Sequence, residues 1–365
     1  MPDPRRPIHS LTLEEIEAWL TTTDQPRYRG GQLAQWLYEK RARSFAAMTN
    51  QPAALRERLA AEFLFDEIEQ VRVLGSADTT RKYLFRLADG ALIETVLIPA
   101  SPALYGEASD RRTLCISTQV GCAYGCKFCA SGLDGFARNL GPQEIVGQFM
   151  RVEELSGEKI NNIVFMGMGE PLANFANVMK AITILNAPWG LGLGARHITL
   201  STSGLAPQIR QLAEQPLQVR LAVSLHGATD EVRQQIMPVN RKYPLAELLD
   251  ACAAYTQRKK QRLTFEYILI ENVNDRREDA AALARLVRAV NAKVNCIPYN
   301  VVDGLDWKRP SEARQDDFMA VLNAARVPAT IRREKGHDIA AACGQLRRQT
   351  MPAAPESLPN QALQT

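Results

Sequence analysis

Residues 121–132 read GCAYGCKFCASG, which spaces Cys122, Cys126 and Cys129 as C-x3-C-x2-C. Three thiolates can hold three irons of a cubic [4Fe–4S] cluster, whose fourth iron ordinarily takes a fourth cysteine. The run has no fourth cysteine, so one iron is left to bind something else. Two plainer explanations compete. Structural zinc takes four ligands, usually as two pairs. No second C-x2-C or H-x3-H pair exists here, and His9, His197, His226 and His337 are scattered. Inert buried cysteines are common, but three within eight residues, set among glycines, are not. The spacing favours the cluster.

The chain around this run has a regular rhythm. From about residue 91, β-rich runs fall at 92–98, 113–118, 162–166, 197–201, 219–225, 264–270, 293–298 and 329–332. Helical patterns at 142–155, 175–186, 206–213, 244–258, 278–290 and 311–325 separate most of the later ones. Strands alternating with helices predict parallel βαβ units. Six or so such units suit an α/β fold built as a partial (βα)6 barrel. Chemistry in barrels of this kind sits at the C-terminal ends of strands. The cysteine run follows the 113–118 strand, and Gly167-Met168-Gly169-Glu170 follows the next. Ser201-Thr202-Ser203, Ser224-Leu225-His226 and Tyr299-Asn300 end later ones.

Residues 1–90 read differently. Apolar residues recur at helical spacing over 11–20, 31–40 and 52–63, with Thr12 placed to cap the first helix. Strand-like runs at 71–74 and 82–87 predict a hairpin. Residues 1–90 are therefore expected to form a small helical accessory domain with a hairpin, residues 91–350 the barrel, and residues 351–365 a disordered tail. Arg27, Arg29, Lys40, Arg41 and Arg43 are interleaved with Tyr28, Trp36 and Tyr38. That mixture can grip phosphates and stack bases, or serve as a solvated helix face over a small aromatic core.

The 365 residues are 46% hydrophobic and 23% charged, an ordinary globular balance. No run of about 18 apolar residues predicts a membrane span. The N-terminal stretch carries prolines and acids where a leader would be apolar, so a cytoplasmic location is expected. A net charge of +4 is too small to identify a nucleic-acid partner. Seven cysteines in such a chain point to metal binding or catalysis before disulfides.

Gly167 and Gly169 bare the backbone to a ligand, and Glu170 can accept hydrogen bonds from an ammonium. A capped strand-to-helix turn is the plainer alternative. Ser201 and Asn300 could bind hydroxyls or a carboxylate, or be ordinary strand ends, and a single histidine such as His226 is more often packed than catalytic. Cys115 lies in a strand and Cys343 near the chain's end. A thiolate can accept a methyl group, and a second thiol can resolve a covalent intermediate as a disulfide. Both could equally be buried fillers, the reading given to Cys252 and Cys296. Glu94 is a lone acid in the apolar run LIETVLIP, costly unless paired or exposed. It reads equally as a general base or as a residue on a solvated strand face.

Taken together, YRGGQLAQWLY (28–38), IETVLIP (93–99), CISTQVGCAYGCKFCASG (115–132), GFARNL (135–140), FMGMGEPLAN (165–174), STSG (201–204), SLHG (224–227), MPVN (237–240) and DIAAACGQL (338–346) resemble the radical S-adenosylmethionine (SAM) adenosine methyltransferases of the RlmN and Cfr type. The resemblance covers roughly residues 10–348. It implies a radical-SAM barrel with an RNA-binding N-terminal module. It implies that Cys122, Cys126 and Cys129 hold a [4Fe–4S] cluster, and that Gly169, Glu170, Ser201, Ser224, Leu225, His226 and Asn300 line the SAM site. Cys343 would accept a methyl from one SAM, a second SAM would supply a radical, Cys115 would close a disulfide onto Cys343, and Glu94 would accept a proton. Two SAM are consumed per turnover in this scheme. The substrates implied are 23S rRNA and tRNA, methylated at adenine C2 (RlmN type) or C8 (Cfr type), with a flavodoxin-like electron donor and a monomeric protein. A different class, an iron–sulfur RNA-binding or redox-sensing protein, would have no use for a methyl acceptor.

Overall fold

The computed structural model describes residues 3–66, 68–76, 79–100, 109–133, 135–300, 305–332 and 345–350. Cys343 and residues 351–365 lie outside the described residues, and with them the expectations placed there. Helices α1 (Leu13–Thr22), α2 (Arg29–Ala34) and α3 (Ala53–Glu62) form the N-terminal part. Thr12 caps α1: its hydroxyl accepts from the Glu15 amide at 3.3 Å while Glu15 Oε2 accepts from the Thr12 amide at 2.7 Å. Two donors that a helix start leaves without partners are thereby satisfied. The helical stretch expected over 31–40 begins earlier and passes into a π-turn at Gln35–Glu39.

Among the described residues, the short parallel pair Arg6–Pro7 and Phe63–Leu64 is followed by twelve strands. They are β1 (Glu69–Gly75), β2 (Arg81–Arg86), β3 (Leu92–Pro99), β4 (Arg112–Cys115), β5 (Gln119–Gly121), β6 (Phe136–Asn139), β7 (Asn162–Phe165), β8 (Ile198–Thr202), β9 (Arg220–Ser224), β10 (Leu263–Leu269), β11 (Ala292–Pro298) and β12 (Ala329–Ile331). Ten of them make one sheet in the order β12-β11-β10-β9-β8-β7-β4-β3-β2-β1. From β4 through β7 to β12 every pairing is parallel, as the alternating pattern predicts. β1 to β4 pair antiparallel, so the hairpin of the N-terminal ninety residues runs on into the barrel sheet. β5 and β6 form a separate hairpin.

Helices α4 (Pro142–Ser156), α5 (Phe175–Asn186), α6 (Ala206–Glu214), α7 (Asp230–Ile236), α8 (Leu245–Lys259), α9 (Arg277–Ala289) and α10 (Glu312–Ala324) connect the parallel strands, and α11 (Gln345–Thr350) follows. The period of two along each strand divides the sheet into two faces. One face carries Leu114, Ile163, Phe165, Ile198, Leu200, Leu221, Val223, Phe265, Tyr267, Val294 and Cys296, none more than 1% exposed. The helices cover this face: Tyr267 stacks near Phe318 of α10, and Thr95 of β3 donates to Gln148 of α4 at 2.8 Å. The other face carries Cys115, Val164, Thr199, Ser201, Ala222, Ser224, Glu266 and Asn295, aligned across the sheet by the register. Polar and small residues thus line one side because the apolar ones have been drawn to the other. Among the described residues no helix is long and apolar enough to cross a membrane.

Candidate active site

The cysteine loop springs from the end of β5 and returns through β6. Gly121 has φ of +78°, and a Cβ there would lie 2.0 Å from the Gly135 carbonyl oxygen, so only glycine lets the two strands close beneath the loop. The Cys122 amide donates to that same carbonyl at 2.8 Å, and the Cys129 amide donates to the Cys126 carbonyl at 3.1 Å. The Lys127 amide donates to the carbonyl of Ile236, which ties the loop to the end of α7.

The three cysteines fit an iron–sulfur cluster in their chemistry. Burial pushes the Cys122 thiol up to about 12, and the charges of Cys129 and Glu170 push the same way. Cys126 is driven well above the usual thiol range, first by burial and then by Cys129 and Cys122. Thiols that resist ionisation because they are buried, and secondarily because like charges converge on them, are released from that penalty by a cationic metal centre. Among the described residues no three metal-ligating side chains close on a single ion. A cluster distributes its three protein ligands over three irons and does not require that convergence.

Glu170 lies beside this loop at the end of β7. Its Oε1 accepts from the Leu172 amide at 3.0 Å and its Oε2 from the Ser203 amide at 2.6 Å. It is 3% exposed, and burial raises its pKa against the pull of those hydrogen bonds. A buried carboxylate held in place next to a bare backbone suits a ligand ammonium. Gly167 and Gly169 supply that backbone: a Cβ at 167 would lie 2.6 Å from the Ile116 carbonyl, and one at 169 would lie 2.5 Å from Gln119 Cβ. These two glycines are demanded by neighbouring strands as much as by any ligand.

Ser201, Ser224-Leu225-His226 and Asn300 emerge at the ends of β8, β9 and β11, so the strand-end placement expected for them is what the fold presents. His226 works as a bracket. Its Nδ1 accepts from the Ile268 amide at 3.0 Å, its carbonyl accepts from Asn274, and its ring lies edge-on to Phe128 of the cysteine loop. Burial, aided by the Arg233 charge, lowers it to about 3, which keeps it neutral and unsuited to hold a proton.

Cys115 is buried on β4, opposite Val96 on one side and Val164 on the other. Among the described residues no two cysteines are joined as a disulfide. Its expected partner, Cys343, is outside them. Cys252 and Cys296 are both fully buried in the apolar core, as their pattern suggests. Glu94 is not on a solvated strand face: it is 1% exposed and pairs with Lys82 at 3.0 Å.

Two contributors were not legible from motifs. Arg233 of α7 is fully buried and donates to the Ser203 carbonyl at 2.6 Å and Asn240 Oδ1 at 2.8 Å. Burial pulls it down to about 10, while the nearby Cys126 opposes that shift. It sits in the polar run RQQ, where one more charge carries no signal. Lys82 is one of three basic residues in the strand RKYLFR, and what singles it out is that it faces the lone acid Glu94 diagonally across the ladder.

A three-cysteine loop following the first strand of a parallel half-barrel is the layout of a radical SAM protein. Residues 116–284 match the profile of the Radical SAM superfamily, and residues 8–64 match that of the Ribosomal RNA large subunit methyltransferase N-terminal domain. Superfamily membership implies a [4Fe–4S] cluster and SAM. A protein of Akkermansia muciniphila described as a probable dual-specificity RNA methyltransferase RlmN is 54% identical over 340 residues, spanning 93% of this chain and 95% of that one. A Synechocystis protein of the same description is 47% identical over 93% of this chain and 94% of its own. The crystal structure of a radical SAM methyltransferase from Sphaerobacter thermophilus superposes with a TM-score of 0.85 at 44% identity, covering 93% of this chain and 98% of that one. The chain belongs to the RlmN family of radical SAM RNA methyltransferases.

Proposed function

We propose that this protein methylates C2 of adenosine in 23S rRNA and in tRNA. The observation that carries the reading is the placement of a second nucleophile: Cys115 shares the sheet face of Ser201 and Ser224, seven residues before Cys122. A cluster alone would leave the reaction open among many. The amidine carbon C2 of adenine is electron-poor, so polar methyl transfer to it fails and a radical route is needed.

One SAM would supply a methyl group, and a second, with the cluster, a 5′-deoxyadenosyl radical. Cys122, Cys126 and Cys129 hold the cluster, and Gly169, Glu170, Ser201, Ser224, Leu225, His226 and Asn300 line the SAM side. Cys343 takes the methyl as a thioether; that carbon would give up one hydrogen atom to the 5′-deoxyadenosyl radical and bond to C2, with the surplus electron passing to the oxidised cluster, while the Cys343 sulfur stays bonded to the carbon. Cys115, as thiolate, attacks the Cys343 sulfur. The S–S bond forms and the S–C bond breaks, its electron pair staying on the former methyl carbon, which takes up a proton from solvent as the C2 proton leaves to Glu94, the acceptor in the family scheme, and the methylated base is released. A flavodoxin-like donor would reduce the cluster in a cytoplasmic monomer that spends two SAM per turnover. Relatives described as RlmN favour C2 over C8.

Anaerobic reconstitution with iron, sulfide, SAM, a reductant and either ribosomal RNA or tRNA tests this. Nucleoside mass spectrometry should show 2-methyladenosine, and Cys115→Ala should trap protein on RNA. Recovery of 8-methyladenosine would sink the C2 assignment. Formation of 5′-deoxyadenosine with no methylated RNA would sink the substrate, and methylation by Cys343→Ala would sink the thioether route.

A further inference from the structure

A cleft of about 420 Å³ opens between α2 with its π-turn and the turn that follows α5. It shares no residue with the site described above. Backbone geometry builds both walls. The Gly190 amide donates to the Ala187 carbonyl at 2.9 Å, and a Cβ at 190 would lie 2.0 Å from the Ile184 carbonyl oxygen, so only glycine closes that turn. The turn sets Trp189 against Tyr38, with ring centroids 5.9 Å apart. On the opposite wall the helix widens, and the Lys40 amide reaches back to the Gln35 carbonyl at 3.0 Å. Leu37 and Tyr38 stay buried there while Gln35 and Glu39 are left exposed.

The lining has the chemistry of a base-binding site. Tyr28 is 62% exposed, more than any other large apolar side chain among the described residues. Its ring and that of Trp189 are the aromatic surfaces of the cleft. Aromatic side chains open to solvent are platforms on which unpaired bases stack. Gln32, Gln35 and Glu39 supply amides and one carboxylate. Gln35 Nε2 donates to Glu39 Oε2 at 3.1 Å, and Oε1 has no partner among the described residues. An acid with a free oxygen repels phosphate but accepts from the amino group of a base. The cations stand outside the lining: the Arg29 guanidinium lies 5.5 Å from the Tyr28 ring centroid, and Lys40 Nζ lies 4.0 Å from that of Trp36. Residues 8–64, which include this wall, match the ribosomal RNA methyltransferase N-terminal profile.

We propose that this cleft takes one unpaired base of the substrate RNA, distinct from the target adenosine. The base stacks on Tyr28 and Trp189, its amino-bearing edge meets Glu39 and the glutamines, and Arg29 and Lys40 meet the flanking phosphates. The inference rests on the reading that RNA is the substrate, and adds to it a second point of recognition outside the catalytic site.

Filter binding of the full chain to tRNA, and to a 23S rRNA fragment carrying the target adenosine, tests this. Loss of one stacked base should weaken Tyr28→Ala roughly 5- to 140-fold, and Tyr28→Phe should bind as wild type does. Stacking releases no counterions, so the dependence of log K on log salt should keep its slope. Dimethyl sulfate and kethoxal read the base edges of adenine, cytosine and guanine. At saturating protein, one unpaired base besides the target adenosine should be protected by wild type and by Tyr28→Phe, and reactive with Tyr28→Ala. Equal affinity of wild type and Tyr28→Ala, protection unchanged in Tyr28→Ala, or a slope that falls with the affinity overturns the proposal. RNA held through Tyr28 but never methylated by the reconstituted wild type would refute the proposed function and leave the cleft standing. Wild-type protein that binds neither RNA would overturn both.

Discussion

His9 shows how one side chain can set a pH dependence. It is 8% exposed, and its ring lies 5.7 Å from Tyr38 and 5.6 Å from Phe65. Its Nε2 makes no hydrogen bond among the described residues. Burial, with the charge of Arg41, lowers it to about 4, against about 6.5 in an unfolded chain. Between those values the unfolded state binds a proton that the folded state refuses, so stability falls as pH drops through this window. Each unit is worth about 1.4 kcal/mol. Wild type should therefore lose about 2 kcal/mol more than His9→Phe between pH 7.5 and pH 5, as read by urea denaturation. Parallel losses in the two proteins would show that His9 does not carry the term. At this scale the sequence exposed what was unusual in its surroundings. Three cysteines among glycines stood out, and so did Glu94 in an apolar strand. Arg233 did not, because a charge in a polar run looks like surface even when folding buries it completely.

At the scale of elements, the alternating strands and helices of the barrel were readable because each buries a periodic apolar face. The elements that hold the cysteine loop were not. β5 and β6 are three and four residues long and contain Gly121 and polar residues; their pairing follows from the close approach of Gly121 to Gly135, which no hydrophobic period records. Helix α7 has only seven residues, mostly polar. Yet it joins three parts of the site through Arg233 to Ser203 and Asn240, and through the Ile236 carbonyl to the Lys127 amide. Arg233→Met should remove two buried donors and leave their acceptors unpartnered, at a cost of about 2–4 kcal/mol. The loop anchored on α7 should loosen with it, so iron retained after anaerobic reconstitution should fall at a temperature where the variant is still folded. Normal stability together with full iron content would show that α7 does not brace the loop.

For the whole molecule, the question is how an RNA-sized substrate meets a site built on one face of a sheet. Local pattern placed the β1–β2 hairpin with the N-terminal helices, because a strand's sequence does not name its partner; the ladder instead carries it into the barrel. The same limit applied to the basic and aromatic cluster. Arg27 pairs with Glu17 and Arg41 with Glu153, each near 2.6–2.7 Å, and Arg43 pairs with Glu154. Arg41 and Arg43 are thus engaged in docking the N-terminal part onto α4, and Tyr38 contacts Trp189 in the turn after α5. Arg29 and Lys40 have no ion pair among the described residues; Lys40 lies over the Trp36 ring at 4.0 Å, and Tyr28 is 62% exposed. If this module grips RNA, Lys40 is available for phosphate and Arg41 is committed to the fold. Lys40→Ala should therefore make the dependence of log K for tRNA on log salt shallower by about 0.7–0.9, the value of one phosphate contact, with the melting temperature unchanged. Arg41→Gln should do the reverse, lowering the melting temperature and leaving the slope nearly intact. A salt slope that neither substitution moves would place the RNA on another face of the molecule, with the N-terminal helices bracing the barrel and not reading the substrate.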